Sequence, residues 1–238
     1  MARAMALGWG EPVVCTDPVA SRAQLLASET GGKAVAGARE VAAESDVVFI
    51  CHKPAQLELV AAELDGSASV VVSILGGVAF ESLTAAYPSS EVYRVMPSTP
   101  VELGQGVVLL AQAGEGPNRQ AVAELLGRLG TLIELPESQI DAAMNLMSCA
   151  PAYMALVAEA QIDAGVRRGL APDLAAKMVI GTMAGTAALL NARDGDTLAV
   201  RRAVTSPGGL TARGLAALER GGIRAAFDDA IDSVLGPN

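Results

Sequence analysis

The sequence predicts an α/β chain in which a doubly wound sheet fills the first half and an all-helical region fills the second. Three observations carry that reading. Up to about residue 136, short continuous apolar runs alternate with helical stretches, as a sheet covered on both faces requires. From Ser138 onward the β signal stops and long helical patterns take over. Hydrophobic residues make up 51% of the 238 residues but aromatics only 3%, so the core must be built from Ala, Val, Leu and Ile.

In chain order, the runs at 13–15, 46–50, 69–74, 92–95 and 106–110 read as buried strands, because they are apolar throughout rather than alternating. The stretches 21–29, 37–44, 56–64 and 80–86 between them are helical in composition, and a helix at 118–129 with a short run at 131–135 closes this half. Beyond it, 151–169, 172–191, 198–203, 210–219 and 223–235 read as helices, with Pro151 and Pro172 in first-turn positions. The expected division is 1–136 for the sheet domain and 137–238 for the helical one. The two longest helices are apolar on nearly all sides. A bundle of about 100 residues buries such helices only with help, so a homodimer through the helical half is expected, with higher assembly left open.

Net charge is −9, and no basic cluster is longer than Arg201-Arg202. Nucleic acids and anionic membranes both need a positive footprint, so neither is an expected partner. The longest apolar stretch, 178–190, falls short of the roughly 20 residues of a spanning helix, and no leader peptide is expected from the first residues. Cys15, Cys51 and Cys149 are widely spaced and form no C-x-x-C, which suits reduced thiols in the cytoplasm. A single histidine and no Cys/His ligand spacing argue against a transition-metal site. That histidine, His52, follows a strand and reads as an incidental or hydrogen-bonding residue before a cofactor contact.

The most specific motif is Thr205-Ser206-Pro207-Gly208-Gly209-Leu210-Thr211. Pro207 fixes one φ, and the two glycines allow a sharp turn that opens a helix, where free N–H groups and the dipole favour an anion. Ser206 and Thr211 add hydroxyls beside it. By itself the turn also fits a plain helix start. Three other segments accompany it: Lys53-Pro54 just past a strand, Met96-Pro97-Ser98-Thr99-Pro100 at the end of another, and Ser148-Cys149-Ala150-Pro151-Ala152-Tyr153 at the start of a long helix.

In this order and at these spacings the four segments resemble the pyrroline-5-carboxylate reductase family over essentially the whole chain. The resemblance implies a Rossmann-like domain that binds NADPH or NADH, an interlaced helical dimer, and reduction of a cyclic imino acid to proline. It implies that Ser206, Gly208, Gly209 and Leu210 hold the substrate carboxylate, chiefly through N–H groups. Thr211 then reaches the ring nitrogen, and Ser148 lies at the substrate. Lys53, Pro54, Met96, Ser98, Thr99 and Pro100 would line the nicotinamide and its ribose. Asp17 could accept from an adenosine ribose hydroxyl, and Arg22 could meet a 2′-phosphate, which leaves the choice of nicotinamide open. Two departures bear on specificity: Ser148-Cys149-Ala150 stands where the family has Gly-Ser-Gly, and Ser98 where it has Asn. The first residues resemble the helix that follows a G-x-G-x-x turn. The sequence therefore leads us to expect a missing first strand, a gap or exposed edge between 13–15 and 46–50, and weak cofactor binding. Rival readings are a reductase of another cyclic imine and a dimeric homologue without catalysis.

Overall fold

The computed structural model describes residues 1–236, which form two compact units, residues 1–151 and residues 152 onward. The first unit runs α1 (Ala2–Trp9), β1 (Val14–Cys15), α2 (Ala20–Thr30), β2 (Lys33–Ala34), α3 (Ala38–Ala43), β3 (Val48–Ile50), α4 (Leu57–Leu64), β4 (Val70–Ser73), α5 (Phe80–Ala86), β5 (Glu91–Pro97), β6 (Gly106–Ala111), α6 (Arg119–Gly127), β7 (Gly130–Leu135) and α7 (Ile140–Met144). A π-helical turn, Asn145–Cys149, follows α7. Helix α8 (Ala150–Val166) then begins, and the division between the units falls in its first turn.

The alternation produces a mostly parallel sheet in the order β3-β4-β5-β6-β7, with β1 and β2 forming a separate parallel pair. No ladder joins β1 to β3, as the expectation of a gap or edge at this point required. Two features depart from the sequence reading. Strand β2 is only two residues long and half exposed, too short to leave a periodic signal. Strand β6 runs antiparallel to β5, with Val95 opposite Leu110 and Pro97 opposite Val108, and parallel pairing resumes at β7. A strand's own residues do not state its direction when both of its faces are buried.

Helices cover both faces of the sheet. Val71 of β4 packs with Leu64, Leu75, Leu83 and Tyr87 on the side of α3, α4 and α5. Its neighbours Val70 and Val72 point the other way, into a cluster with Met5, Tyr93, Val95, Val122 and Leu126 beside α1 and α6. Period-two pleating thus turns one apolar run into two cores. A third cluster sits under α7, where Ile140 and Met147 pack against Met96, Leu109, Ala111 and Leu135. Residues 137–151 accordingly belong with the first unit by packing, although their composition is helical like that of the second.

The second unit holds α8, α9 (Pro172–Asn191), α10 (Thr197–Ala203), α11 (Leu210–Arg220) and α12 (Ile223–Leu235). Gly169, at φ +95°, breaks the chain between α8 and α9. Of the described residues here, only Ala175 is buried, while Met154, Leu156, Leu174, Met178 and Ile180 stand exposed. Residues 137–166 and 172–191 are long and apolar enough, by length and composition alone, to cross a membrane. A dimer interface exposes the same kind of surface in a single chain.

Candidate active site

In a doubly wound sheet, ligands bind outside the carboxyl ends of the parallel strands. After β3, Lys53 caps a 3-10 turn, Pro54–Gln56, whose proline occupies the first turn. The Lys53 N–H donates to Gln56 Oε1 at 3.2 Å, so the turn presents Lys53 and Pro54 to solvent. His52 Nδ1 donates to the Lys53 carbonyl at 2.9 Å, which makes Nε2 the acceptor of the ring. Nε2 is buried and has no partner in the protein.

After β4, Ser73 is fully buried and its Oγ accepts from the Leu75 N–H at 3.3 Å. The chain then exposes Gly76 and Gly77. Gly77 is left-handed at φ +73°, and a Cβ built there would meet nothing within 4 Å. These two glycines follow the carboxyl end of β4, as the Lys53 turn follows that of the adjacent parallel strand β3. The sequence reading did not single them out, although a Gly-Gly pair directly after a buried strand was the available signal.

After β5, the five motif residues divide. Met96 and Ser98 are buried, and the Ser98 hydroxyl accepts from the Val107 N–H at 2.8 Å, fixing the turn to β6. Thr99 is exposed and Pro100 half-buried, at the start of a 3-10 turn (Thr99–Leu103) stopped by left-handed Gly104. At the end of β1, Asp17 accepts from the Val19 N–H at 2.8 Å and borders a cavity of about 240 Å³ with Gln24, Val35 and Ala36. Arg22 is exposed on α2 and does not line that cavity. Ser148 is exposed on the π-turn, and its hydroxyl donates to Met147 Sδ at 2.9 Å. Turns of this type are short, wide and frequent at functional positions.

Within the second unit, the Thr205–Thr211 turn has the expected form. The Thr205 hydroxyl donates to the Arg201 carbonyl at 2.6 Å, which ties the turn to the end of α10. Gly208 is left-handed at φ +70°, and the Gly209 N–H donates to the Ser206 carbonyl at 3.0 Å. Gly209 caps α11 without any side-chain hydrogen bond, so the first-turn N–H groups are free for a ligand. Ser206 Oγ lies 2.3 Å from where a Cβ on Gly209 would sit. Only glycine therefore lets the hydroxyl fold over the helix N-terminus. Leu210 and Thr211 are exposed on the first turn.

Comparison with known proteins agrees with this distribution of parts. Residues 137–236 match the model for pyrroline-5-carboxylate reductase dimerisation, and residues 1–77 match that for coenzyme F420-dependent NADP oxidoreductases. The pyrroline-5-carboxylate reductases of Synechocystis and of Mycobacterium tuberculosis are each 33% identical, over 93% of this chain and 84% of theirs. The Coxiella burnetii pyrroline-5-carboxylate reductase structure superposes with a TM-score of 0.86 at 25% identity, covering 98% of this chain and 92% of its own. The Plasmodium falciparum pyrroline carboxylate reductase, solved with NADP bound, gives 0.82 at 25% identity, over 97% and 90%. With relatives this similar along most of both chains and a helical half that matches a dimerisation domain, the chain belongs to the pyrroline-5-carboxylate reductase family.

Proposed function

We propose that this chain reduces the C=N bond of 1-pyrroline-5-carboxylate to give L-proline, using NADPH or NADH. The observation that carries the reading is the Thr205–Thr211 cradle at the start of α11: free N–H groups, a left-handed glycine and two hydroxyls suit a small carboxylate next to a polar ring atom.

The residues at the sheet edge fit a nicotinamide dinucleotide. Gly76 and Gly77 keep side chains out of the way, a Cβ on Gly76 meeting only Met144 Sδ at 3.9 Å. The unpartnered His52 Nε2 adds an acceptor at the same edge. Asp17 faces a cavity where a ribose hydroxyl could donate to it. Lys53, Pro54, Thr99 and Pro100 would hold the nicotinamide and its ribose, with Met96 and Ser98 supporting the turn from inside. The bound cofactor supplies the hydride.

The protein's own task is then binding and orientation. The α11 N-terminus, Ser206 and Gly208–Leu210 would hold the carboxylate. The Thr211 hydroxyl would orient the ring nitrogen, which arrives protonated and makes the neighbouring carbon electrophilic. No strong acid is needed. A homodimer through the helical half covers the apolar faces of α8 and α9, and the three free cysteines suit a cytoplasmic location. The test is oxidation of NADPH and NADH by the purified chain with a panel of cyclic imines. Turnover of the five-membered imino acid is expected. Preference for a six-membered or carboxylate-free imine would overturn the substrate assignment, and no imine-dependent oxidation would overturn the enzymatic one.

A further inference from the structure

Arg94 lies in the middle of β5, and its side chain is only 3% exposed. It reaches across to the segment after β7. Nη1 donates to Glu137 Oε1 at 2.5 Å, and Nη2 donates to Asp141 Oδ1 at 2.8 Å. The same Glu137 oxygen also accepts from the Phe80 N–H at 3.1 Å, which brings the start of α5 into the network. Glu137 and Asp141 are one helical turn apart on a segment that continues into the π-turn carrying Ser148.

This network is costly and incomplete. Arg94 Nε and Glu137 Oε2 are both buried with no partner in the protein. A buried ion pair with unfilled positions contributes little net stability, and well-packed apolar residues of similar volume would serve the fold as well or better. What it does provide is geometry, because a planar guanidinium fixes two carboxylates at once. The two ends it joins both carry site residues. Two residues beyond Arg94, β5 delivers Met96 and then the Ser98–Pro100 turn. Beyond Asp141, the helix delivers Met147 and Ser148. Met96 and Met147 belong to one buried cluster, so the two segments are packed together as well as ion-paired.

We propose that Arg94 is a positioning residue for the reduction: through Glu137 and Asp141 it sets the spacing between the turn after β5 and the Ser148-bearing π-turn. The inference rests on the functional reading above for its effect on turnover, but its structural part can be tested separately. Arg94→Lys supplies a point charge that reaches one carboxylate, and Asp141→Ala removes the more exposed arm. Both should fold. In each we expect kcat/KM for the imine to fall by about 10- to 100-fold, as for a small misplacement of a bound substrate. The dissociation constant of NADPH, measured by fluorescence titration, should stay within about twofold, since the arms hold the helix side of the site. Arg94→Met/Glu137→Leu, which removes the buried charges together, should recover thermal stability without recovering kcat/KM. Hydrogen exchange across Asn145–Cys149 supplies a readout independent of turnover and should accelerate in Arg94→Lys. Wild-type kcat/KM in the folded variants would overturn the proposal, as would unchanged exchange in that segment. Should the unsubstituted chain turn over no imine, the functional reading fails, and exchange alone still decides whether Arg94 places the π-turn.

Discussion

Gly209→Ala isolates the cradle from the rest of the fold. Gly209 has φ −71° and ψ 178°, which alanine adopts freely, so the backbone carries no strain. The new methyl would sit 2.3 Å from Ser206 Oγ and 3.2 Å from the Ser206 carbonyl oxygen. The hydroxyl must rotate away, and the carbonyl must give by a few tenths of an ångström. Helix stability should hardly change. Alanine is a poorer N-cap than glycine by about 0.5–1 kcal/mol, but it restricts the unfolded chain by about 0.4–1 kcal/mol, and the two offset. Substrate binding should change much more. A hydroxyl hydrogen bond to a carboxylate contributes about 1.5–3 kcal/mol, which corresponds to a fall of about 10- to 150-fold in kcat/KM for the imine. Gly208→Ala provides the contrast. A Cβ there meets nothing within 4 Å, but φ is +70°, so it should cost about 1–2 kcal/mol of stability through the backbone itself. The assay is steady-state turnover of 1-pyrroline-5-carboxylate together with thermal unfolding of both variants. A Gly209→Ala protein with unchanged kcat/KM would show that Ser206 does not fold over a bound carboxylate, and the cradle reasoning would be refuted.

Thr211→Val keeps the shape and removes the hydroxyl. It should lower kcat/KM by roughly 30- to 200-fold, about 2–3 kcal/mol, with NADPH affinity unchanged in a titration. Ala184→Asp places a carboxylate on α9, where the dimerisation match predicts burial between protomers, so sedimentation should show dissociation at concentrations where the unsubstituted chain stays dimeric. Burial, with a smaller contribution from the Glu58 charge, pushes the Tyr87 phenol up to about 12. Its neutral form is thus favoured in the fold. The associated stability is present below the ordinary tyrosine value of about 10 and is lost as pH rises toward 12. Urea midpoints at pH 9 and pH 11.5 should show a drop that Tyr87→Phe reduces; equal drops would place the phenol in water.

Most of the architecture was legible because burial on both faces writes strands as unbroken apolar runs. Val70, Val71 and Val72 are the plainest case: one run in the sequence, two cores in the fold. The direction of β6 was not legible, since pairing partners determine it and apolar runs read the same both ways. The π-turn was hidden because its residues carry no local signal that separates it from an α-helix, although it buries Met147 against Met96, Leu109 and Leu135. In the candidate site, the turn at Gly208 and Gly209 was legible because proline and glycine chemistry defines it locally. The inward facing of Ser98 depends on Val107 of the neighbouring strand, a pairing no local motif reveals. Arg94 was read as part of a strand and nothing more, because its two partners lie more than forty positions away.

The chain's single tryptophan has a practical consequence. The Trp9 ring lies 4.9 Å from that of Phe49 of β3, with the two planes tilted by 55°, and its indole N–H donates to the Leu125 carbonyl of α6 at 2.9 Å. All three belong to the first unit, and no tryptophan occurs in the second. Intrinsic tryptophan emission is therefore a private optical signal of the sheet domain. Paired with far-ultraviolet ellipticity, which reports the helices of both units, it lets unfolding of the sheet domain be told apart from loss of helix in the chain as a whole, without labels. A reduced nicotinamide absorbs where tryptophan emits, so energy transfer from Trp9 would also give a direct readout of nicotinamide binding.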